Sequence, residues 1–287
     1  MTAGCALDWI CSTRPGTYRS PVRVRVRYKK SGKLRFISAI DLGRVWERAL
    51  RKADLPIAFS EGFTPHPKIS FADALPLGYA STGEYAELAF ALPVALDRAV
   101  GALNVAFPQG LAVLDAVKVA EGAPKLATWL RASCWDVAYP EAGGLGHPGT
   151  PPDSPDPPDC RGTPPDPLAE AVDAVRAAEA LPATRERKGL PVTIDLRPAI
   201  HQISNRGACV RVTLHHLEPL VRPLHVHLAL RSFHPGLPDA TLYTRVAQGT
   251  PVDEGLIEVL SGQLVPPHPE PTPAESARHL SAPGRLT

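Results

Sequence analysis

Val22-Arg23-Val24-Arg25-Val26-Arg27-Tyr28 alternates strictly between apolar and cationic side chains. Successive side chains of a strand point to opposite faces, so the run reads as a half-buried β-strand with valines inward and arginines outward. The period then changes. Leu42, Val45, Trp46, Ala49, Leu50 and Ala53 recur at helical spacing and make one apolar stripe. Further along, residues 69–75 and 84–92 have strand character, 96–107 helical character and 111–119 strand character again. The resulting order, β-α-β-β-α-β, is that of a ferredoxin-like unit.

The second half repeats the order without repeating the sequence. Residues 131–139 read as a strand, 168–183 as an alanine-rich helix, 192–196 and 208–215 as strands, 220–233 as a helix and 242–247 as a strand. The expected fold class is therefore α+β, with two tandem ferredoxin-like (βαββαβ) units, a Pro-rich insertion and a C-terminal tail. Proline sets the boundaries. It makes up 33 of 287 residues, about twice the ordinary ~5%, and gathers at 140–167 and from 266 onward. Such segments bury too little apolar surface to offset their ordering entropy and are expected to be disordered or polyproline-like. The division expected is an N-terminal extension 1–20, a first domain 21–122, a second domain 123–248 holding the insertion 140–167, and a tail 249–287.

Composition narrows the class. Hydrophobic residues at 44% and charged residues at 21% fit a soluble globular chain, and no apolar run reaches the ~18 residues of a membrane helix. Asp8 interrupts the early apolar stretch and no basic residue precedes it, which argues against a secretory signal and makes a cytoplasmic location the expectation. Five scattered cysteines without a C-x-x-C pair point to reduced thiols rather than a disulfide framework or zinc ribbon.

The overall net charge of +2 hides a strong asymmetry. Between Val22 and Lys52 stand Arg23, Arg25, Arg27, Lys29, Lys30, Lys33, Arg35, Arg44, Arg48, Arg51 and Lys52 against Asp41 and Glu47 alone, so the rest of the chain is net acidic. A cationic footprint confined to one segment is the electrostatic sign of a polyanion partner or of a docking surface for an acidic protein.

Within this segment, Ser38-Ala-Ile-Asp41 fits a capping box, which makes Asp41 a helix cap on one reading and a catalytic or ligand-binding carboxylate on the other. Arg44, Arg48 and Arg51 follow on one helical face, able to grip successive phosphates or to stand as a solvated face laced by Glu47. Arg23 and Arg25 would line the sheet face away from the helices, where single-stranded RNA lies in related modules, unless Asp73, Glu84 or Glu87 neutralise them across strands. Gly62-Phe-Thr-Pro-His-Pro-Lys68 is a loop stiffened by two prolines. It displays His66 and Lys68 at low entropic cost; Phe63 is its stacking candidate, Phe59 and Phe71 its anchors. His66 reads equally as a loop-closing hydrogen-bond partner or as a binding or acid–base group. Arg35, Arg44, Arg48, His66 and Lys68 are expected around one cleft. His215-His216, His225-x-His227 and His234 lack fixed ligand spacing, so no metal is expected.

The string from Lys33 to Ala53, continued by Leu55-Pro-Ile-Ala-Phe-Ser-Glu-Gly-Phe-Thr-Pro-His-Pro-Lys-Ile-Ser-Phe71 and Leu75-Pro-Leu-Gly78, resembles the radical-SAM-linked protein family of bacteria. That family is a domain of unknown function that stands alone or follows a radical-SAM domain. The resemblance spans roughly Val22 to Tyr139, and residues 192–230 more weakly through Ile194-Asp-Leu-Arg-Pro198 and Val221-Arg-Pro223. Where the family commonly carries a histidine after the serine preceding its helix, this chain has Ala39. The resemblance implies a separate radical-SAM enzyme as partner. No C-x-x-x-C-x-x-C arrangement is present for an iron–sulfur cluster, so no cofactor and no radical-SAM chemistry of its own are expected.

The functional expectation is a radical-SAM-associated accessory protein that binds RNA or another polyanionic substrate, with no membrane contact. Two alternatives stand beside it. One is an RNA-modifying enzyme of pseudouridine-synthase-like architecture with Asp41 or Asp195 as nucleophile. The other is a protein-docking module without nucleic acid.

Overall fold

The computed structural model describes residues 21–140, 166–187 and 190–267. The extension 1–20, nearly all of the insertion 140–167 and the tail beyond 267 lie outside the described residues. The first half runs β1 (Val22–Lys30), α1 (Ala39–Lys52), β2 (Ile69–Phe71), β3 (Ala80–Phe90), α2 (Leu96–Ala106) and β4 (Leu111–Lys118). The second runs β5 (Ala132–Ala138), α3 (Pro167–Ala177), β6 (Pro182–Arg187), β7 (Leu190–Asp195), β8 (Ile200–Asn205), β9 (Cys209–His215), α4 (Pro223–Phe233) and β10 (Leu242–Val252). Two short strands follow, β11 (Gly255–Glu258) and β12 (Leu264–Val265).

Ten strands form one mixed sheet, while β6 and β7 pair apart from it. The first half is antiparallel in the spatial order β4-β1-β3-β2. In the second half the order is β10-β5-β9-β8, also antiparallel. With the β6–β7 hairpin set aside, both halves place their fourth strand first, then the first, third and second. They join edge to edge where β3 and β10 run parallel, Ala80 opposite Thr244 and Ser81 opposite Arg245.

Each half keeps its helices on one sheet face over its own core. The alternation that decides β1 puts Val24, Val26 and Tyr28 there, against Leu42, Trp46, Ala49 and Leu50 of α1. Trp46 is fully buried and meets Tyr28, Phe71 and Phe107 edge to face, with centroids 5.2, 6.0 and 4.8 Å away. The second core is aliphatic by comparison, with Val137, Val210 and Val212 of the sheet under Val172, Val175, Val226 and Leu230 of α3 and α4.

Four local expectations change. Residues 192–195 fall in β7 outside the main sheet, Leu196 caps the following 3-10 turn, and the second-strand position is taken by β8. Both runs have strand character, and the 3-10 turn at Arg197–Ala199, built on Pro198, separates them. The helix expected to reach Ala183 stops at Ala177, with Ala178 already in extended backbone, and Pro182 then opens β6. Strand β2 has three residues, and the chain leaves the sheet at Ala72. Residues 249–267, expected in the tail, complete β10 and form β11 and β12. Leu256 of β11 packs on Ala132, Cys134 and Ala247, on the sheet face away from the helices.

Candidate functional site

The arginine row of β1 sits on the face opposite the helices, and that face is not open. Residues 123–130 cross it, with Leu126 and Leu130 packed on Tyr85. Because Arg25 pairs in register with Glu87, one carboxylate meets two guanidinium groups, Arg23 at 3.2 Å and Arg25 at 3.0 Å. Arg23 also donates to the Ala123 carbonyl and Arg25 to that of Pro124, while Trp129 covers the Arg25 guanidinium at 5.1 Å. Arg27 donates to the Thr82 and Val246 carbonyls. Arg25 is 3% exposed, so a partner cannot reach it without displacing the 123–130 segment. Arg23 stays partly exposed, its side chain at 32%, while Arg25 is enclosed, and the two share the single carboxylate of Glu87.

Helix α1 lies in the other layer, so its arginines and those of β1 are separated by the sheet. Ser38 caps the helix by accepting from the Asp41 backbone N–H at 3.1 Å, and its hydroxyl donates to the Asp41 carboxylate at 2.8 Å. That carboxylate also receives Arg44 at 3.2 Å. Ser38 is thus the helix cap, Ala39 begins the helix, and the Asp41 carboxylate stands exposed at the surface between the Ser38 hydroxyl and Arg44. Arg51 stands 3.9 Å from Glu47, whose other oxygen lies 4.0 Å from His66 Nδ1. The proline-stiffened loop thus meets α1 at its middle. The loop is closed by main chain: Ser60 N–H donates to the His66 carbonyl at 2.8 Å, and the His66 N–H donates to Ser60 Oγ at 3.0 Å. The His66 imidazole is left exposed beside Glu47. Phe63 at the loop tip is fully exposed; Phe71 is an anchor in the aromatic core, whereas Phe59 is 43% exposed.

Arg35 sits at the entrance to α1, bonded to the Gly32 carbonyl and stacked at 5.2 Å on the exposed Phe36 ring. Among the described residues, Lys33, Arg35, Arg48, Lys52 and Lys68 have no carboxylate within ion-pair distance. Of the residues expected around one cleft, the structure brings His66 against α1 within a turn of Arg44 and Arg51. It forms an exposed cationic surface there rather than an enclosed cleft.

A second constellation, at the seam between the halves, was not anticipated. Arg245 on β10 is 2% exposed and donates to Glu84 at 3.2 Å and Asp73 at 2.8 Å. Its guanidinium lies 4.7 Å over Trp135. Burial raises the Glu84 pKa, an effect that Arg245 opposes, and burial lowers that of Lys30, which Glu84 opposes. Across a small cavity, Trp135 Nε1–H donates to Ser133 Oγ at 2.7 Å, and Ser133 lies 3.1 Å from His216 Nε2. His216 Nδ1 is 2.7 Å from the Leu130 carbonyl. Burial lowers the His216 pKa, so the neutral imidazole prevails, donating from Nδ1 and accepting at Nε2. Asp73 and Glu84 were visible as carboxylates near β1, but their partner lies more than 150 residues away and no local pattern announces it.

Asp195, the other carboxylate raised as a nucleophile, accepts the backbone N–H groups of Leu181 and Arg197, which lower its pKa. It ties β6 to the turn before β8. No helix among the described residues is long and apolar enough to cross a membrane. No curated protein matches the chain. A family model does match, over residues 23–223, from the arginine row of β1 through α1 and the loop to the start of α4, with β10 and Arg245 of the seam beyond it. The chain belongs to a family described as uncharacterized proteins conserved in bacteria (DUF2344).

Proposed function

We propose that this protein is an accessory module acting in the cytoplasm that binds RNA or another polyanion and presents it to a separate radical-SAM enzyme. The observation that carries the reading is the α1 surface, where Arg48 and Lys52 stand without carboxylate partners among the described residues, beside an exposed, stiffened loop bearing Phe63, His66 and Lys68. Cations on a helix face bind successive phosphates, and an exposed ring next to them offers a stacking platform for a base. The partner enzyme rests on the sequence resemblance of the stretch from Lys33 to Gly78. We read the two halves as tandem ferredoxin-like units, a reading supported by the recurrence of the same strand order in each.

Filter binding of tRNA and rRNA fragments over a salt series tests the proposal. Binding should weaken steeply with salt, and the double variant Arg44→Gln, Arg48→Gln should flatten the slope by roughly one unit per lost contact. A flat salt dependence in the parent protein sinks the reading. A protein-docking role for the same face is favoured by exposed Phe36, Ile40 and Leu77 beside Arg35. Pull-downs with and without nuclease separate the two, since a docked protein survives digestion and an RNA-bridged one does not.

A further inference from the structure

The loop before β2 and the helix beside it divide between them the two chemistries a nucleotide offers. From Ser60 to His66 the loop has no lysine or arginine and one acidic residue, Glu61, so its tip does not hold phosphate. The cations stand on α1, where Arg44, Arg48 and Lys52 recur at i, i+4 and i+8 in one exposed row. Charge is offered at the helix and an apolar ring at the tip.

The tip is built to hold that ring out. Two hydrogen bonds between Ser60 and His66, at 2.8 and 3.0 Å, close the loop and leave residues 61–65 as its turn. Gly62, at φ 126°, takes a backbone conformation that a side chain would strain, and Pro65 fixes its own φ. Phe63 between them is fully exposed and belongs to neither of the two large cores. Because its backbone is already fixed, little freedom is lost when the ring meets a ligand. The cations are within reach. His66 Nδ1 stands 4.0 Å from Glu47 on α1, and Phe63 is three residues from His66, about 10 Å of chain at most. The row from Arg44 to Lys52 spans about 12 Å of helix, so ring and cations together cover a few nucleotides.

Magnitudes decide between a duplex and a single strand. Counterion release per phosphate contact is about 0.9 for a duplex and about 0.7 for a single strand, which over a few contacts at physiological salt favours the duplex by roughly fourfold. Stacking on one aromatic side chain adds about tenfold, and only where a base shows its face. Internal bases of a duplex are covered on both sides by their neighbours, so the ring rewards unpaired nucleotides alone.

We propose that this surface takes a single-stranded nucleic acid, with phosphates along Arg44, Arg48 and Lys52 and one unpaired base stacked on Phe63. Resting on the polyanion role proposed above, the site narrows it to strands with free base faces: a loop, a bulge or an unpaired end. Every base has a π face, so the stacking carries no sequence preference of its own.

Fluorescence anisotropy of a short labelled oligouridylate and of a labelled RNA duplex of the same length, each titrated with the full chain over a salt series, tests this. The single strand should bind more tightly than the duplex. Phe63→Ala should weaken the single strand about tenfold with its salt slope intact and leave the duplex unaffected, while Phe63→Trp should keep the parent affinity. Because Phe63 is fully exposed, both variants should melt like the parent. The matching deoxyuridylate separates the sources: tighter binding of the ribose strand assigns the site to RNA, and equal affinity assigns it to any single strand. A duplex bound as tightly as the single strand, or Phe63→Ala without effect on either probe, overturns the proposal and leaves polyanion binding standing. A loss on both probes overturns it as well, since the ring would then be a wedge between base pairs. Failure of the parent to bind either probe at low salt removes polyanion binding itself.

Discussion

The two halves share a strand order and divide the chemistry. In the first, α1 and α2 cover an aromatic core, and the exposed side of α1 carries cations together with the stiffened loop. In the second, α3 and α4 cover a core that is mainly aliphatic apart from Trp135 and Tyr139, and it encloses His227 at 3% exposure, bonded at 3.0 Å to Tyr139. Both halves bury charged groups in or beside the sheet, Arg25, Lys30 and Glu84 in the first and Arg245 in the second, but the first half also carries an exposed cationic helix face. The sheet order tolerates both because side-chain choice on the helices and loops, rather than strand pairing, decides what is exposed.

The hardest way to break this symmetry is through a core. Trp46→Ala removes the ring around which Tyr28, Phe71 and Phe107 pack, and should cost about 3–5 kcal/mol by chemical denaturation. Hydrogen exchange should localise the loss to the first half; equal loss of protection in both halves would mean that they unfold as one unit. The seam comes next. A methyl group on Gly83 would lie 2.5 Å from the Ala247 Cα, where β3 passes β10, and a backbone contact of that kind cannot be relieved by a rotamer change. Gly83→Ala should cost about 1–3 kcal/mol or more, and limited proteolysis should then release the halves separately.

Acid should act on the second half first. Burial lowers the pKa of His215, His216 and His227, so each binds its proton less readily in the folded than in the unfolded chain. Their contribution to stability is complete above the unfolded value of about 6.5 and is lost as pH falls through the lower folded values. Among the described residues the first half offers only exposed His66. Exchange protection between pH 7 and pH 5 should therefore decline around β9 and α4 before it declines around β1 and α1, and a uniform decline would count against this account. The smallest effect is expected from Arg44→Gln with Arg48→Gln, about 0–1 kcal/mol of stability, since exposed charges contribute little. A larger loss would place those arginines among the structural pairs.

The sequence made β1, α1 and the loop legible because each is written locally: a period of two, an apolar stripe behind Ser38, and two prolines around His66. Long-range pairing was not written there. Nothing in Val-Arg-Val-Arg reveals that residues 123–130 will cross the arginine face, nor does Thr-Arg-Val at 244–246 show that Arg245 will meet Glu84. The proline count also misdirected the reading of residues 249–267, where Gly255 at φ 147° supports a hairpin that the composition hides. Likewise 192–196 and 200–205 both send apolar side chains into the second core, and only the pairing of β7 with β6 and of β8 with β9 tells them apart.

The edge of β3 is shared, with β2 holding residues 86–88 and β10 holding 80 and 81. During synthesis the first half can complete its own sheet while the second is still inside or near the ribosome. The remaining stretch of that edge stays open until residues 242–252 emerge, and with it Glu84 and Asp73 wait without their arginine. The seam is thus a late joint in a nascent chain, and an interrupted translation product would expose an unpaired strand edge next to carboxylates that lack Arg245.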